Sequence, residues 1–412
     1  MAQNEPPARL ALGPDRGWPL ALFGIGACAA GAFNLLGAAF YQGIPTDEGM
    51  YLRMASDFWG YVTSAHLSRQ PLFPMLLAPV MWISGGAFDV VARVLLSVLA
   101  GVNCVLIYLL ARRVAGPLAG KVAGVAACLF PSLLLHAALL LTETPAVTLF
   151  TGTLLLLHRH VGDGRARSGV AAGILLGLSI LMRAAFQFFL PFLAVALVVS
   201  RWGRWRDAAV SLACVLVPAC AVCSVWIGRN LAVMGRFVPI ADNGGEGLYG
   251  GNNPAVLDGP NCGTWDQEAC LALAPEGPGV DRQERDRTLR DEALKFLSST
   301  AVERPADLAR LGLCKLQRAW FPSIRPGEGA ARLLFHLSFW CVSVWGLAGI
   351  GMALRRWRGY LLPLAVIAGH TAQTLVFFGD THYRVPYEPV VLSFAGLAVA
   401  RGYGWMRRGN DG

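Results

Sequence analysis

"FDVVARVLLSVLAGVNCVLIYLLARRVAG", residues 88–116, is built mainly of Val, Leu, Ile and Ala and ends on the adjacent Arg112 and Arg113. An α-helix needs about 20 residues to cross the roughly 30 Å hydrocarbon core of a bilayer. In that medium an unbonded backbone N–H or C=O costs several kcal/mol, so such a run spans as a helix. The two arginines mark its end, and under the positive-inside rule they lie on the cytoplasmic side.

Similar runs lie near residues 18–40, 117–135, 140–157, 168–182, 185–200, 207–229, 333–353, 360–378 and 386–405, ten spans in all. Composition agrees: 412 residues with 55% hydrophobic and 15% charged content, and a mean hydropathy of +0.49, do not describe a soluble chain. The net charge of +9 falls in short clusters between spans, which reports topology and not nucleic-acid binding. The turns "ARRVAG", "HRHVGDGRARS", "RWGRWRD", "RRWRG" and the terminal "WMRR" are Arg-rich, whereas those near 131–142, 183 and 380–384 are not. This alternation places the Arg-rich set and both termini in the cytoplasm. The expected protein is all-α and polytopic, in the cell's inner (plasma) membrane.

The N-terminal "MAQNEPPARLALGPDRGW" is polar and Pro-rich, and the following run lacks a small-residue cleavage site, so the first span is expected to be retained. "PLFPMLLAPVMWISGG", residues 71–86, is short, holds three prolines and would invert the topology if it crossed. It is taken as an interfacial or re-entrant piece on the outer face, the alternative being an eleventh span. Two non-membrane regions then lie outside, the loop 42–70 and a segment of about a hundred residues, 230–332, which holds more than half of the Asp and Glu. They divide the chain into an N-terminal membrane half (1–229), an extracytoplasmic insert (230–332) and C-terminal membrane helices (333–412). Within the insert, residues 281–322 predict two helices split near Pro305. Cys262 and Cys270, close together in "NCGTWDQEAC", are expected to form a disulfide in an oxidising compartment, the alternative being free thiols.

Five polar clusters interrupt the outer side of this plan. In "IPTDEGMYLRMASDF", residues 44–58, an amphipathic surface helix is expected, with Tyr51, Met54, Phe58 and Val62 on its apolar side. Thr46 as its cap, with Asp47 and Glu48 in its first turn, is one account. The other makes one carboxylate a general base for an acceptor hydroxyl. Arg69, in "LSRQPLFP", sits at headgroup level, either snorkelling to lipid phosphate or clamping a dedicated phosphate. Glu143 opens a span in "LTETPAVTLF", where an intramembrane acid is costly and by default functional. Arg183, in "ILMRAAFQFF", runs against the charge bias and implies an anionic partner. Asn243 and Asn252 lie in the Gly/Asn-rich stretch after Arg229, which is either a ligand-approaching backbone or an exposed turn. Asp380, His382, Arg384 and Glu388 crowd the last outer turn, "FFGDTHYRVPYEP", an expected anion or sugar site. Acids and arginines at one headgroup level suit a lipid-linked phosphate beside an activated hydroxyl or amine. No Walker loop or dinucleotide fingerprint is present, so a nucleotide donor is not expected.

The ordered set "TDEGMYLRMA", "RQPLFPMLLA", "LLLTETPAVTLF", "ILMRAAFQFFLP", "WIGRNLAVMGRFVPIADNGGEGLYGGNNP" and "HYRVPYEP" resembles the bacterial C-type glycosyltransferases of the protein O-mannosyltransferase and aminoarabinose transferase superfamily. The resemblance implies an inverting transfer of a sugar from a polyprenyl-phosphate carrier to a protein, lipid or glycan on the extracytoplasmic face. It implies Asp47 as catalytic base with Glu48 in support. Arg69, one residue displaced by Gln70, would contact the carrier phosphate, and His382 and Arg384 match an H-x-R pattern for phosphate or sugar. Glu143 is carried over as a site residue, with Glu143 and Asp47 the candidate ligands should a divalent metal be used. The rival functions are a flippase or transporter of lipid-linked sugar and a polysaccharide ligase or polymerase.

Overall fold

The structure, a computed structural model, describes residues 15–36, 46–65, 69–259, 262–277, 280–322 and 329–410. Parts of the expected N-terminus (1–14), first span and outer loop (37–45, 66–68) and insert (260–261, 278–279, 323–328) lie outside the described residues. Among the described residues there is no strand.

The chain opens with α1 (Gly17–Leu36). The single surface helix expected after Asp47 is two, α2 (Glu48–Ser56) and α3 (Phe58–Thr63). The break is at Asp57, whose side chain accepts from the Gly60 N–H and starts the second helix. Next come α4 (Leu72–Ser84) and, after a 3₁₀ turn, α5 (Phe88–Ala115), the apolar run that ends near Arg112 and Arg113. At 13 residues α4 is about 20 Å long, too short to cross unaided. It ends at Gly85, whose φ of +51° is a conformation that glycine adopts without strain.

Helices α6 (Pro117–Leu129) and α7 (Pro131–Ala138) meet at a 50° bend, where Pro131 cannot continue the preceding helix. They are followed by α8 (Glu143–Asp163), α9 (Ala166–Met182), α10 (Leu190–Ser200) and the 30-residue α11 (Trp205–Met234). Helices α9 and α11 pack along Gly169, Gly173 and Gly177, spaced four apart on one face. A Cβ on Gly173 would stand 2.2 Å from the Val215 carbonyl oxygen, so only glycine permits this approach.

The insert contains α12 (Gly244–Gly251), α13 (Pro254–Asp258), α14 (Gln267–Leu273), α15 (Arg282–Glu303) and α16 (Pro305–Trp320). The last two are the helices expected around Pro305, which occupies the first turn of α16, where its missing N–H is harmless. Cys262 is bonded not to Cys270 but to Cys314 on α16, with Cα atoms 5.7 Å apart. Cys270 is a free, fully buried thiol. Nearness in sequence misled here because α14 turns Cys270 into the insert's interior while α16 passes beside Cys262.

Four further helices follow: α17 (Gly329–Leu354), α18 (Leu361–Val376), the short α19 (Thr381–Arg384) and α20 (Glu388–Asn410). Helix α20 is central, touching α5, α6 and α17, and its residues from Glu388 to Ala398 are buried. Phe150, Phe186, Phe189 and Tyr387 interlock at the centre of the largest core, Phe150 and Phe186 stacked at 4.3 Å.

Five helical stretches are long and apolar enough to cross a membrane among the described residues, six if the bent α6–α7 pair is one span. Helix α9 and the helical stretch 184–200 are apolar but shorter. The protein is therefore a multi-pass membrane protein, and the described residues supply five to six of the ten expected spans by length and composition. The two ends of the bundle differ chemically. At one, Asp15 pairs with Arg112 and Lys121, Arg165 and Arg201 bond around His160, and Arg204 lies nearby. The other end gathers the acids.

Candidate active site

Asp47 is the N-cap residue of α2, yet its side chain makes no capping bond. The expected cap at Thr46 is not formed either: the carboxylate of Asp47 is turned to Arg69, accepting from Nη2 at 2.9 Å and from Nε at 3.1 Å. This bidentate fork across 22 residues closes the outer loop on itself. Burial opposes the charge on Arg69, but its bonds to the Asp47 carboxylate hold its pKa above the ordinary arginine value. The Asp47 side chain remains 47% exposed.

Glu48 points the other way, as adjacent residues at a helix start must. Its Oε1 accepts from the backbone N–H of Leu140 at 2.9 Å and from Arg93 Nη2 at 3.3 Å. Arg93 also donates to Asp89 at 3.0 Å and to the Ala138 carbonyl. Glu48 thus fastens α2 to α5 and to the extended link between α7 and α8.

The third acid, Glu143, is buried with Arg183. The guanidinium donates to Glu143 Oε1 at 2.6 Å and to Thr142 Oγ1 at 2.8 Å, and lies 5.3 Å from the centre of the Tyr383 ring. Glu143 Oε2 has no hydrogen-bond partner. Tyr51 and Tyr383 stand in the electrostatic field of both arginines, Arg69 and Arg183, and so connect the Asp47 pair to the Glu143 pair. Burial raises the pKa of both phenols, with the two arginines opposing it, so both stay protonated donors. His382 Nδ1 is 3.0 Å from Asp380 Oδ1. Burial works against charging this ring, but Asp380 prevails and raises its pKa above the usual value.

Asp47, Glu48, Arg69, Glu143, Arg183 and His382 therefore share one end of the bundle. Arg384 does not join them. It is fully buried and donates to Glu388 Oε1 at 2.7 Å, to Ser343 Oγ at 2.7 Å and to the Trp320 carbonyl at 2.9 Å. Its guanidinium carbon also lies 3.8 Å from the centre of the Phe339 ring, so it pins α16, α17 and α20 together where a phosphate contact was expected. The cause is helical geometry: His382 and Arg384 sit on opposite sides of the short α19. Asn252 is buried and donates to the carbonyls of Leu248 and Val376, while Asn243 stands at the N-terminal cap position of α12 in the insert without a side-chain capping bond.

Arg93, Thr142, Tyr51 and Tyr383 are members of the cluster that sequence reasoning did not assign a role. For Arg93 a signal existed: an acid and an arginine four residues apart inside an apolar run. The tyrosines carry none, since Tyr51 reads as part of an apolar face. Each of the three carboxylates carries its own arginine, and among the described residues no three His, Cys, Asp or Glu side chains are grouped so as to hold one ion.

Residues 68–227 match the family model described as dolichyl-phosphate-mannose-protein mannosyltransferase. Among solved structures, the chain superposes on the oligosaccharyltransferase of Archaeoglobus fulgidus in the apo form with a TM-score of 0.59 at 13% identity, covering 97% of this chain and 52% of that one. The protein has the C-type glycosyltransferase fold. The archaeal oligosaccharyltransferase AglB of the same organism, in complex with an inhibitory peptide and a dolichol-phosphate, aligns at a TM-score of 0.55 and 14% identity over 96% of this chain and 52% of that one. ArnT from Cupriavidus metallidurans bound to undecaprenyl phosphate is similar at a TM-score of 0.38 and 16% identity, over 94% and 78% of the two chains. The chain spans about half the length of the two archaeal structures. A sequence search of curated proteins finds no match. In this chain the acid and arginine cluster occupies one end of the helical bundle, with the insert folded beside it.

Proposed function

We propose that the protein transfers a sugar, with inversion, from a polyprenyl-phosphate carrier to an acceptor hydroxyl or amine on the extracytoplasmic face. The observation that carries this reading is the Asp47–Arg69 fork. Of the three clustered acids, Asp47 is the most open to solvent, while Glu48 and Glu143 are held by bonds that fix backbone and helices. Both oxygens of Asp47 are engaged by Arg69, so neither is free to take an acceptor proton while the fork stands. An incoming phosphate would compete for the same bidentate guanidinium, since Arg matches phosphate and carboxylate geometry equally. Donor binding would then draw Arg69 away and free Asp47 next to the reacting centre.

The acceptor oxygen or nitrogen attacks the anomeric carbon, its proton passes to Asp47, and the bond from that carbon to the phosphate oxygen breaks. The polyprenyl phosphate leaves with the electron pair. Arg69 meets the charge that develops on it, Arg183 adds to the field, and the Tyr51 and Tyr383 hydroxyls are donors beside it. His382, whose pKa Asp380 raises, adds positive charge near the same place when it holds its second proton. Arginines supply the charge compensation.

The test is transfer from defined polyprenyl-phosphate sugars by purified protein in lipid, comparing wild type with Asp47→Asn and Asp47→Ala. Loss of a general base lowers turnover by about 10²–10⁴. An Asp47→Asn protein that folds and turns over normally would remove Asp47 from the role.

A further inference from the structure

Lys315, on α16 of the insert, is 2% exposed and its ammonium is not bonded to a carboxylate. It donates to Asn252 Oδ1 at 2.6 Å and to the Leu375 carbonyl, in the last turn of α18, at 3.0 Å. Burial alone pushes its pKa down, to about 7. Enclosing a lysine this way is costly unless its bonds accomplish something local.

Those bonds converge on one short piece of chain. Asn252, held by Lys315, donates to the Val376 carbonyl at 2.9 Å, so the end of α18 is gripped from α12 and α16 together. Just beyond, the Gly379 N–H donates to the Gly263 carbonyl at 2.8 Å. Gly379 lies so close to α16 that a Cβ there would be 1.9 Å from the Lys315 carbonyl oxygen. The Cys262–Cys314 disulfide fixes the Gly263 loop to the residue before Lys315. Phe378 packs edge-on against Tyr383, ring centres 5.0 Å apart, and Tyr383 lies beneath Arg183.

We infer that Lys315 is a positioning residue through which the insert sets the turn 377–384, and with it Tyr383 and His382, against the Arg69–Arg183 cluster. Its meaning for catalysis rests on the transfer reaction proposed above; its effect on the turn does not. Lys315 touches none of the clustered acids or arginines and would act only through Asn252 and the exit of α18.

The experiment uses the full chain in nanodiscs, with Lys315→Met, which removes both hydrogen bonds, and Lys315→Gln as a milder variant should the first fail to fold. Hydrogen exchange by mass spectrometry should show amides of 376–384 exchanging at least about tenfold faster, with α5 and α8 unchanged. In the transfer assay, turnover should fall by about tenfold or more with the donor KM little altered, because misplacement of site groups costs rate even far from the chemistry. In a cycle with Tyr383→Phe the two losses should be less than additive, which a merely structural lysine would not produce. Unchanged exchange over 376–384 overturns the inference, as does a loosened turn in a protein that transfers at the wild-type rate. A loosened turn in a chain that, even as wild type, transfers no sugar leaves the positioning intact and defeats the proposed reaction instead.

Discussion

At the scale of single residues, the three acids divide by what holds them. Asp47 has a partly exposed partner in Arg69, whereas Glu143 and Arg183 are buried together. Asp47→Asn is expected to abolish transfer while leaving the melting temperature within a degree or two, since a surface ion pair contributes about 1 kcal/mol or less. Glu143→Gln should behave in the opposite sense, leaving Arg183 without its counter-ion inside the bundle at a cost of roughly 3 kcal/mol. Thermal denaturation of the two variants in one detergent separates these roles. His382 supplies a pH dependence. Its pKa is raised by Asp380, so the stabilisation from this pair is complete below the ordinary histidine value of about 6.5 and is lost as pH rises through the raised value. Exchange protection of the turn 377–384 is expected to weaken across that window, and His382→Gln to remove the dependence.

Elements decide which residues face one another. Helix α20 is the clearest case: the turn before it reads as a cluster of four charged groups, yet its helical path sends Arg384 and Glu388 into the core and leaves Asp380 and His382 at the site. In the insert, the disulfide joins α16 to the loop after α13 across 52 residues. Closing a loop of that length constrains the unfolded chain by about 4 kcal/mol in the entropic account. Cys314→Ser is therefore expected to make residues 254–277 the first part of the protein cut by limited proteolysis, with the membrane helices intact. Equal resistance of variant and wild type would show that burial of α13 and α16 alone holds the insert.

For the whole molecule, the proposed reaction requires one orientation in the membrane, with the Arg-rich turns inside and the acid cluster and insert outside. The Cys262–Cys314 bond is consistent with an oxidising side for the insert. Exposed positions test it: Ser298→Cys should react with a membrane-impermeant maleimide on intact cells and Arg204→Cys only after permeabilisation. The reverse pattern would place the site in the cytoplasm and end the proposal for an extracytoplasmic acceptor.

The sequence by itself determined that this is a helical membrane protein, because no other element satisfies the backbone in lipid and the apolar runs are unmistakable in composition. It also brought forward Asp47, Glu48, Arg69, Glu143, Arg183 and His382, since charge is costly at membrane depth and stands out against an apolar background. Only the tertiary structure decided which of these charges meet. Pairing depends on the direction of a side chain from its helix and on contacts between residues far apart in the chain. That is why Arg384 turned inward, Cys262 chose Cys314, and Arg93, Tyr51 and Tyr383 joined a site that no local spacing announces.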